Sequence, residues 1–174
     1  IMHKLNKIYY FIDEFNRKEI HNLNKNISII YRNYKNNYDY KLIKKIKNLC
    51  KTQGRKFYIS NNLKIALRLG LDGIYIPSFN KLCNYKNLKV RKNFEILGSA
   101  HNIIELKNKE NQGCKIIFIS PIFKTNKSNF FLNTMKFNLI AKATKNTIIA
   151  LGGINYSNIS KLNLTSSRGF ASIS

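Results

Sequence analysis

Short apolar runs alternate along the chain with longer polar segments in which the apolar residues recur at helical spacing. Several of the short runs are apolar at nearly every position, which is typical of parallel strands buried on both faces. The pattern predicts eight strands, over Ile8–Ile12, Ile27–Tyr31, Lys56–Ile59, Gly73–Ile76, Glu95–Leu97, Lys115–Ile119, Thr147–Leu151 and Gly169–Ile173. The segments between them predict helices over Tyr40–Lys51, Asn62–Leu69, Asn102–Lys109, Leu132–Ala143 and Asn155–Lys161, with weaker ones over Glu14–Leu23 and Lys81–Asn87.

Eight strands joined by helical crossovers favour an α/β fold of the (β/α)8 TIM-barrel type over an open doubly wound sheet. We expect a single barrel domain over residues 1–174. The chain is short for this fold, which typically takes about 250 residues. It also stops directly after the eighth predicted strand, so we expect a short barrel with the last helix missing. In such barrels the functional residues lie at the C-terminal ends of the strands.

The charge of the chain is strongly basic, with 31 Lys and Arg against 8 Asp and Glu and a formal net charge of +23. Taken alone, this balance points to nucleic acid or an anionic membrane. The lysines are spread along the chain, however, and Lys, Asn and Ile are abundant together, as in AT-rich genomes. Compositional drift is therefore favoured and nucleic acid is disfavoured, although a basic surface still attracts phosphorylated small molecules. No run of about 18 apolar residues predicts a membrane span.

The three cysteines, Cys50, Cys83 and Cys114, are odd in number and show no CxxC spacing. They fit buried thiols in a reducing cytoplasm and give no zinc signature. We therefore expect a cytoplasmic protein, and a homo-oligomer is left open.

Charged and polar residues follow several of the predicted strands. Arg32 and Lys35 come after strand two and could clamp a phosphate or pyrophosphate, or be two solvated cations. Asn61 follows strand three and is a candidate for substrate binding, although a helix cap explains its segment by itself. His101 follows strand five, where a histidine is well placed for proton transfer near neutral pH, or simply occupies a loop.

The last three strands lead into segments suited to phosphate. The loop after strand six carries hydroxyls and lysines, among them Thr125 and Lys127. Strand seven ends in Gly152 and Gly153, where backbone N–H groups can approach a ligand because no Cβ intervenes. A helix predicted from Asn155 would add its N-terminus, and the loops after strands seven and eight commonly form the phosphate site of such barrels.

Taken in order, these segments resemble the thiamine phosphate synthase/TenI family. The resemblance is carried by IYYFID (8–13), IIYR (29–32), YISNNLKIALRLGLDGIYI (58–76), ILGSAHN (96–102), GCKIIFISPIFKT (113–125), IIALGGI (148–154) and GFASIS (169–174). It implies a (β/α)8 barrel whose synthase members join hydroxymethylpyrimidine diphosphate to a thiazole phosphate, releasing pyrophosphate with Mg²⁺. TenI-like members instead tautomerise the thiazole phosphate, with a histidine as acid and base.

The resemblance also assigns roles to residues of this chain. It implies that Arg32 contacts pyrophosphate, that Ser99 lies near the leaving group and that His101 is the histidine of the Ser-x-His segment. The residues implied for the substrate-binding loops and the thiazole-phosphate site are Thr125, Lys127, Gly152, Gly153, Ile173 and Ser174.

Several positions depart from the family pattern. The metal aspartates of the family are replaced by Asn61 and Asn80, its glutamine before the arginine by Ile30, and a His/Gly-Gln stretch by Tyr75 and Pro77–Ser78. Mg²⁺ usually requires one or two carboxylates, so we expect a metal only if synthase activity is retained.

From the resemblance and these departures we expect an enzyme of thiamine biosynthesis that binds a thiazole phosphate, with or without the pyrimidine diphosphate. A TenI-like tautomerase or a divergent synthase is favoured; the alternative is a non-catalytic barrel or a basic nucleic-acid-binding protein.

Overall fold

A computed structural model describes residues 5–34, 38–82, 85–126 and 129–174. These residues form eight strands, five α-helices and one 3₁₀ helix. The strands are β1 (Lys7–Ile12), β2 (Ile27–Tyr31), β3 (Phe57–Ser60), β4 (Gly73–Ile76), β5 (Glu95–Ala100), β6 (Ile116–Ile119), β7 (Thr147–Leu151) and β8 (Gly169–Ile173). The helices are α1 (Arg17–Asn22), α2 (Tyr40–Thr52), α3 (Leu63–Arg68), α4 (Ile103–Asn111) and α5 (Asn133–Lys142), with the 3₁₀ helix over Ile159–Leu164.

The eight strands pair in chain order as a closed parallel barrel, which confirms the predicted fold class. Closure is made by β1 and β8, whose register places Lys7 opposite Gly169 and Phe11 opposite Ile173. Within the described residues no helix follows β8. All strands run in the same direction, so their C-terminal ends, and the side chains that follow them, share one face of the barrel.

Aromatic side chains fill the interior of the barrel. Phe118 packs edge-on against Tyr9, Phe11 and Tyr75, with ring centroids 5.0, 5.6 and 5.7 Å apart. These side chains are at most 4% exposed. Edge-to-face pairs add to the free energy of burying the rings. The interior is therefore solid, and a ligand at the C-terminal face would rest on this aromatic layer.

The helices pack an apolar face on the outside of the barrel. In α2 the buried residues Ile43, Ile46 and Cys50 recur at helical spacing, and Asp39 caps the helix by accepting from the Lys41 N–H at 2.8 Å.

Cys50 and Cys114 are buried free thiols, as predicted, and burial raises the pKa of each to about 12. Cys83 lies outside the described residues. Among the helices described, none is long and apolar enough to cross a membrane.

The crossover from β4 to β5 is irregular, and the helix predicted over Lys81–Asn87 is wrong for the part of that range that the structure describes. Leu82, the apolar residue that a helix there would bury, is 96% exposed. The segment is held instead by distant polar contacts, since the Tyr85 N–H donates to the Gln112 carbonyl at 3.0 Å. Local spacing could not predict an anchor so far along the chain.

The helix predicted over Asn155–Lys161 is also corrected. Asn155 opens a turn in which its N–H donates to Asn158 Oδ1 at 2.9 Å, while Asn158 Nδ2 donates to the Gly153 carbonyl at 2.7 Å. A 3₁₀ helix begins only at Ile159. Asparagine side chains compete with the backbone for these hydrogen bonds and favour turns. Among the described residues, the segment directly after Gly153 therefore begins with a turn and not with an α-helix N-terminus.

Candidate functional site

Arg32 and Asp13 form an ion pair where β1 and β2 end. Arg32 Nε donates to Asp13 Oδ1 at 3.0 Å, and the guanidinium lies over the Phe11 ring, 5.2 Å from its centroid. Burial lowers the Arg32 pKa, but the hydrogen bond and charge of Asp13 outweigh burial and raise it overall. The cation is thus fixed in place, and an incoming phosphate would compete with Asp13.

A broad depression of about 1160 Å³ opens beside this pair. It is lined by residues 13–16 of the β1–α1 loop, by residues 17–19 of α1, by residues 32–34 and by Ser174. The Ser174 N–H donates to the Phe11 carbonyl at 3.0 Å, which extends the β1–β8 contact to the rim. Ile173, at the end of β8, is 45% exposed. The structure therefore gathers Arg32, Ile173 and Ser174 on the same side of the C-terminal face.

His101 stands at the end of β5 with both ring nitrogens engaged. Its Nδ1 lies 2.7 Å from the Ser120 carbonyl oxygen and 3.3 Å from Ser120 Oγ, and its Nε2 lies 3.1 Å from Ser78 Oγ. A carbonyl oxygen only accepts, so Nδ1 carries the proton and Nε2 of the neutral ring is an acceptor. The backbone N–H of His101 donates to Glu105 Oε2 at 2.8 Å. This geometry orients an imidazole base at the rim.

The β5 serine, Ser99, is only 4% exposed and is hydrogen-bonded to the phenol of Tyr75. Burial raises the pKa of Tyr75, while the bond with Ser99 lowers it. Ser99 thus lies in the barrel wall and holds the aromatic layer beneath the site.

The asparagines at the family's aspartate positions bind each other. Asn80 Nδ2 donates to Asn61 Oδ1, and Asn61 is held in a left-handed conformation with φ 57°. In residues 5–34, 38–82, 85–126 and 129–174 no cluster of three His, Cys, Asp or Glu side chains could hold a metal ion. Both amides are neutral, and both oxygens already accept hydrogen bonds, Asn61 Oδ1 from Asn80 Nδ2 and Asn80 Oδ1 from the Leu82 N–H at 3.2 Å. They do not fit Mg²⁺, which usually takes one or two carboxylates.

Gly152 and Gly153 join the end of β7 to the loop that follows β6. Both have positive φ, 91° and 70°. A Cβ at Gly153 would lie 2.5 Å from the Phe123 carbonyl oxygen and closer still to that of Lys124. The Phe123 N–H also donates to the Gly152 carbonyl at 3.1 Å. The glycines are therefore needed for the close approach of these two loops.

The remaining predicted residues belong to loops at the same face. Thr125 is partly buried in the loop after β6, next to this glycine contact. Lys35 and Lys127 lie outside the described residues.

Sequence reasoning missed Asp13, Ser78 and the aromatic pair Tyr34–Phe79, whose exposed rings meet edge-on at 5.3 Å. Asp13 directly follows β1, so its position at a strand end was a usable signal. The pairing of Ser78 with His101 spans 23 residues and leaves no local pattern.

The closed parallel barrel, with its polar side chains gathered at the C-terminal strand ends, defines a (β/α)8 barrel of the architecture that places active sites at that face. The chain belongs to the thiamine monophosphate synthase family, whose sequence model matches residues 23–174. This confirms the resemblance inferred from the ordered motifs.

Relatives and solved structures agree with this family. A thiamine-phosphate synthase from one strain of Prochlorococcus marinus is 30% identical over 128 residues, covering 68% of this chain and 35% of the relative. That of Pelagibacter ubique (strain HTCC1062) is 33% identical over 136 residues, covering 75% and 64%. Thiamine phosphate pyrophosphorylase from Pyrococcus furiosus superposes with a TM-score of 0.75 at 18% identity, covering 99% of this chain and 88% of that one. The chain spans only about a third of two Prochlorococcus marinus synthases, 35% and 34% of their lengths.

Proposed function

We propose that this barrel is an enzyme of thiamine phosphate biosynthesis that binds a phosphorylated thiazole at its C-terminal face and moves a proton on it through His101. The observation that carries the proposal is the fixed tautomer of His101, whose Nδ1–H donates to the Ser120 carbonyl at 2.7 Å. A neutral imidazole held this way presents Nε2 as a base. Family membership supports a phosphorylated thiazole as the substrate class.

Two anion sites on this face would serve the substrates: a thiazole-phosphate site at the β7–β8 side and, at the β1–β2 side, a second site that would take a pyrophosphate. Arg32 offers a guanidinium at the β1–β2–β8 side, beside Ser174. Gly152 and Gly153 offer backbone at the β7 side, next to the loop that bears Thr125. We include Lys127 and Ile173 in the binding set because of their positions in the family pattern, and Lys35 because it follows strand two beside Arg32.

Proton transfer without a metal is favoured over metal-assisted loss of pyrophosphate. Diphosphate carries several negative charges whose neutralisation by Mg²⁺ normally requires carboxylates on the protein. The Asn61–Asn80 hydrogen bond supplies neither charge nor a free pair of amides. A TenI-like tautomerisation needs an acid–base group and a phosphate site, and both are compatible with the residues present.

The test is turnover of a thiazole phosphate in D₂O, with deuterium incorporation followed by NMR. We expect His101→Ala to lower turnover by about 10²–10⁴-fold, the range for general acid–base catalysis. Binding of the thiazole phosphate, measured by calorimetry, should persist in the variant. Unchanged turnover in His101→Ala would remove His101 as the acid–base group.

A divergent synthase is the second candidate, favoured by the retained Arg32 at the position of the pyrophosphate arginine. Its test supplies both precursors, with Mg²⁺ or with EDTA, and measures thiamine phosphate. Mg²⁺-dependent product formation would establish the synthase and overturn the preference for a metal-independent reaction.

A further inference from the structure

We propose that the Ser78 hydroxyl is a second catalytic group, which relays the proton between His101 and the substrate. The inference rests on the proposed function and assigns a role that neither the family motifs nor the relatives supply. Ser78 lies two residues after β4, and its Oγ is 3.1 Å from His101 Nε2.

The hydrogen bonds of His101 determine the direction of this contact. Nδ1–H is committed to the Ser120 carbonyl, so the neutral ring has a single lone pair, on Nε2. The Ser78 O–H donates to that lone pair. A substrate proton therefore cannot reach Nε2 directly while Ser78 keeps its place. The acceptor left for the substrate is Ser78 Oγ, which belongs to a partly exposed side chain and as a hydroxyl oxygen can accept while it donates to Nε2.

Ser78 is held against His101 by a buried clamp on its loop. The Asn80 N–H closes a turn on the Pro77 carbonyl at 3.1 Å. The Asn80 carbonyl accepts from Lys109 Nζ at 2.7 Å and from Gln112 Nε2 at 2.9 Å. Lys109 is 0% exposed, and its Nζ also donates to Gln112 Oε1 at 2.8 Å. Buried charged hydrogen bonds of this kind fix geometry, so the β4 loop presents Ser78 from a rigid base.

The relay balances in protons and electrons. As the C–H bond of the substrate breaks, its electron pair enters the conjugated system of the substrate and the proton forms a new O–H bond on Ser78. The original Ser78 O–H bond breaks at the same time, and its proton joins Nε2. The resulting imidazolium keeps both bonds, Nδ1–H to the Ser120 carbonyl and Nε2–H to Ser78 Oγ. Reversal of the two transfers delivers a proton to the other carbon and completes the tautomerisation.

The experiment compares Ser78→Ala with Ser78→Thr, which retains the hydroxyl. Turnover of the thiazole phosphate is measured in H₂O, D₂O and their mixtures. We expect Ser78→Ala to lose about 10²-fold in kcat, within the range for acid–base groups, with little change in KM. Ser78→Thr should stay within about tenfold of the wild type. In the proton inventory, the wild type should show one more solvent-exchangeable proton in flight than Ser78→Ala, whichever of the two transfers limits the rate.

The outcomes separate the relay from the proposed function. An active wild type with equal kcat and an equal proton inventory in Ser78→Ala overturns the relay and leaves the function standing. An inactive wild type overturns both. Nitrogen-15 NMR of His101 gives a test that needs no turnover, since a proton on Nε2 in the neutral ring contradicts the relay and a proton on Nδ1 supports it. Thermal unfolding of each variant shows whether a loss of activity reflects a loss of fold.

Discussion

At the scale of single residues, the positive charge of Arg32 is already paired with the carboxylate of Asp13. Asp13 takes two of its hydrogen bonds, at 3.0 and 3.4 Å, and its side chain is 54% exposed. Replacing Asp13 by Asn removes the competing charge from the guanidinium. We expect Asp13→Asn to bind inorganic pyrophosphate up to about fivefold more tightly, because an exposed ion pair is worth up to about 1 kcal/mol. Isothermal titration calorimetry measures the change.

A matched control separates this local effect from the overall charge. Glu110→Gln changes the net charge of the protein by the same amount, at the end of α4, where Glu110 pairs with Lys107. We expect the pyrophosphate affinity of Glu110→Gln to stay near that of the wild type. Equal gains in both variants would show that net charge, and not the release of Arg32, governs anion binding.

At the scale of elements, the contact between the β6 and β7 loops depends on Gly153. An alanine there would have both a positive φ of 70° and a Cβ in contact with two carbonyl oxygens. A left-handed non-glycine residue costs about 1–3 kcal/mol, and the clash adds to that cost. We expect Gly153→Ala to lose more than about 3 kcal/mol of the free energy of unfolding, measured by urea denaturation.

Gly70 provides the control for this prediction. It has a similar φ of 59°, but a Cβ would meet nothing within 4 Å. Gly70→Ala should therefore show the backbone cost alone, about 1 kcal/mol. A loss in Gly153→Ala no larger than that in Gly70→Ala would mean that the loop contact is dispensable.

Elements and their contacts were not equally predictable from the sequence. The strands could be predicted, because runs such as Ile116–Ile119 are buried at every position and are therefore apolar throughout. Helix ends with local caps were also predictable, as at Asn62, which accepts from the Ile65 N–H at 3.0 Å. The irregular β4–β5 crossover could not be predicted, since it is held by hydrogen bonds from Lys109 and Gln112, which lie on or just after α4.

The same distinction holds for the candidate site. Placement at the C-terminal strand ends follows from a parallel barrel, so His101 and Arg32 could be assigned to one face. Their partners could not be assigned. Ser78 and Ser120 approach His101 from the ends of two other strands, and Asn61 meets Asn80 only because its backbone adopts a left-handed turn. Such contacts depend on loop conformations for which the chain carries no periodic signal.

At the scale of the whole molecule, the net charge of +23 surrounds the barrel. Each α-helix among the described residues carries at least one exposed Lys or Arg, and these helices lie on successive outer sides of the barrel. A nucleic-acid site would instead concentrate cations on one face or along one groove.

A charge distributed in this way engages only a few phosphates of a duplex at a time. Because each phosphate contact adds nearly one unit to the slope of log K against log salt, few contacts give weak binding at physiological salt. We expect the anisotropy of a labelled duplex of about 20 base pairs to show no binding at about 150 mM NaCl, while the thiazole phosphate still binds at that salt. Nanomolar DNA affinity that survives this salt would contradict the enzyme interpretation of this basic surface and favour the nucleic-acid alternative.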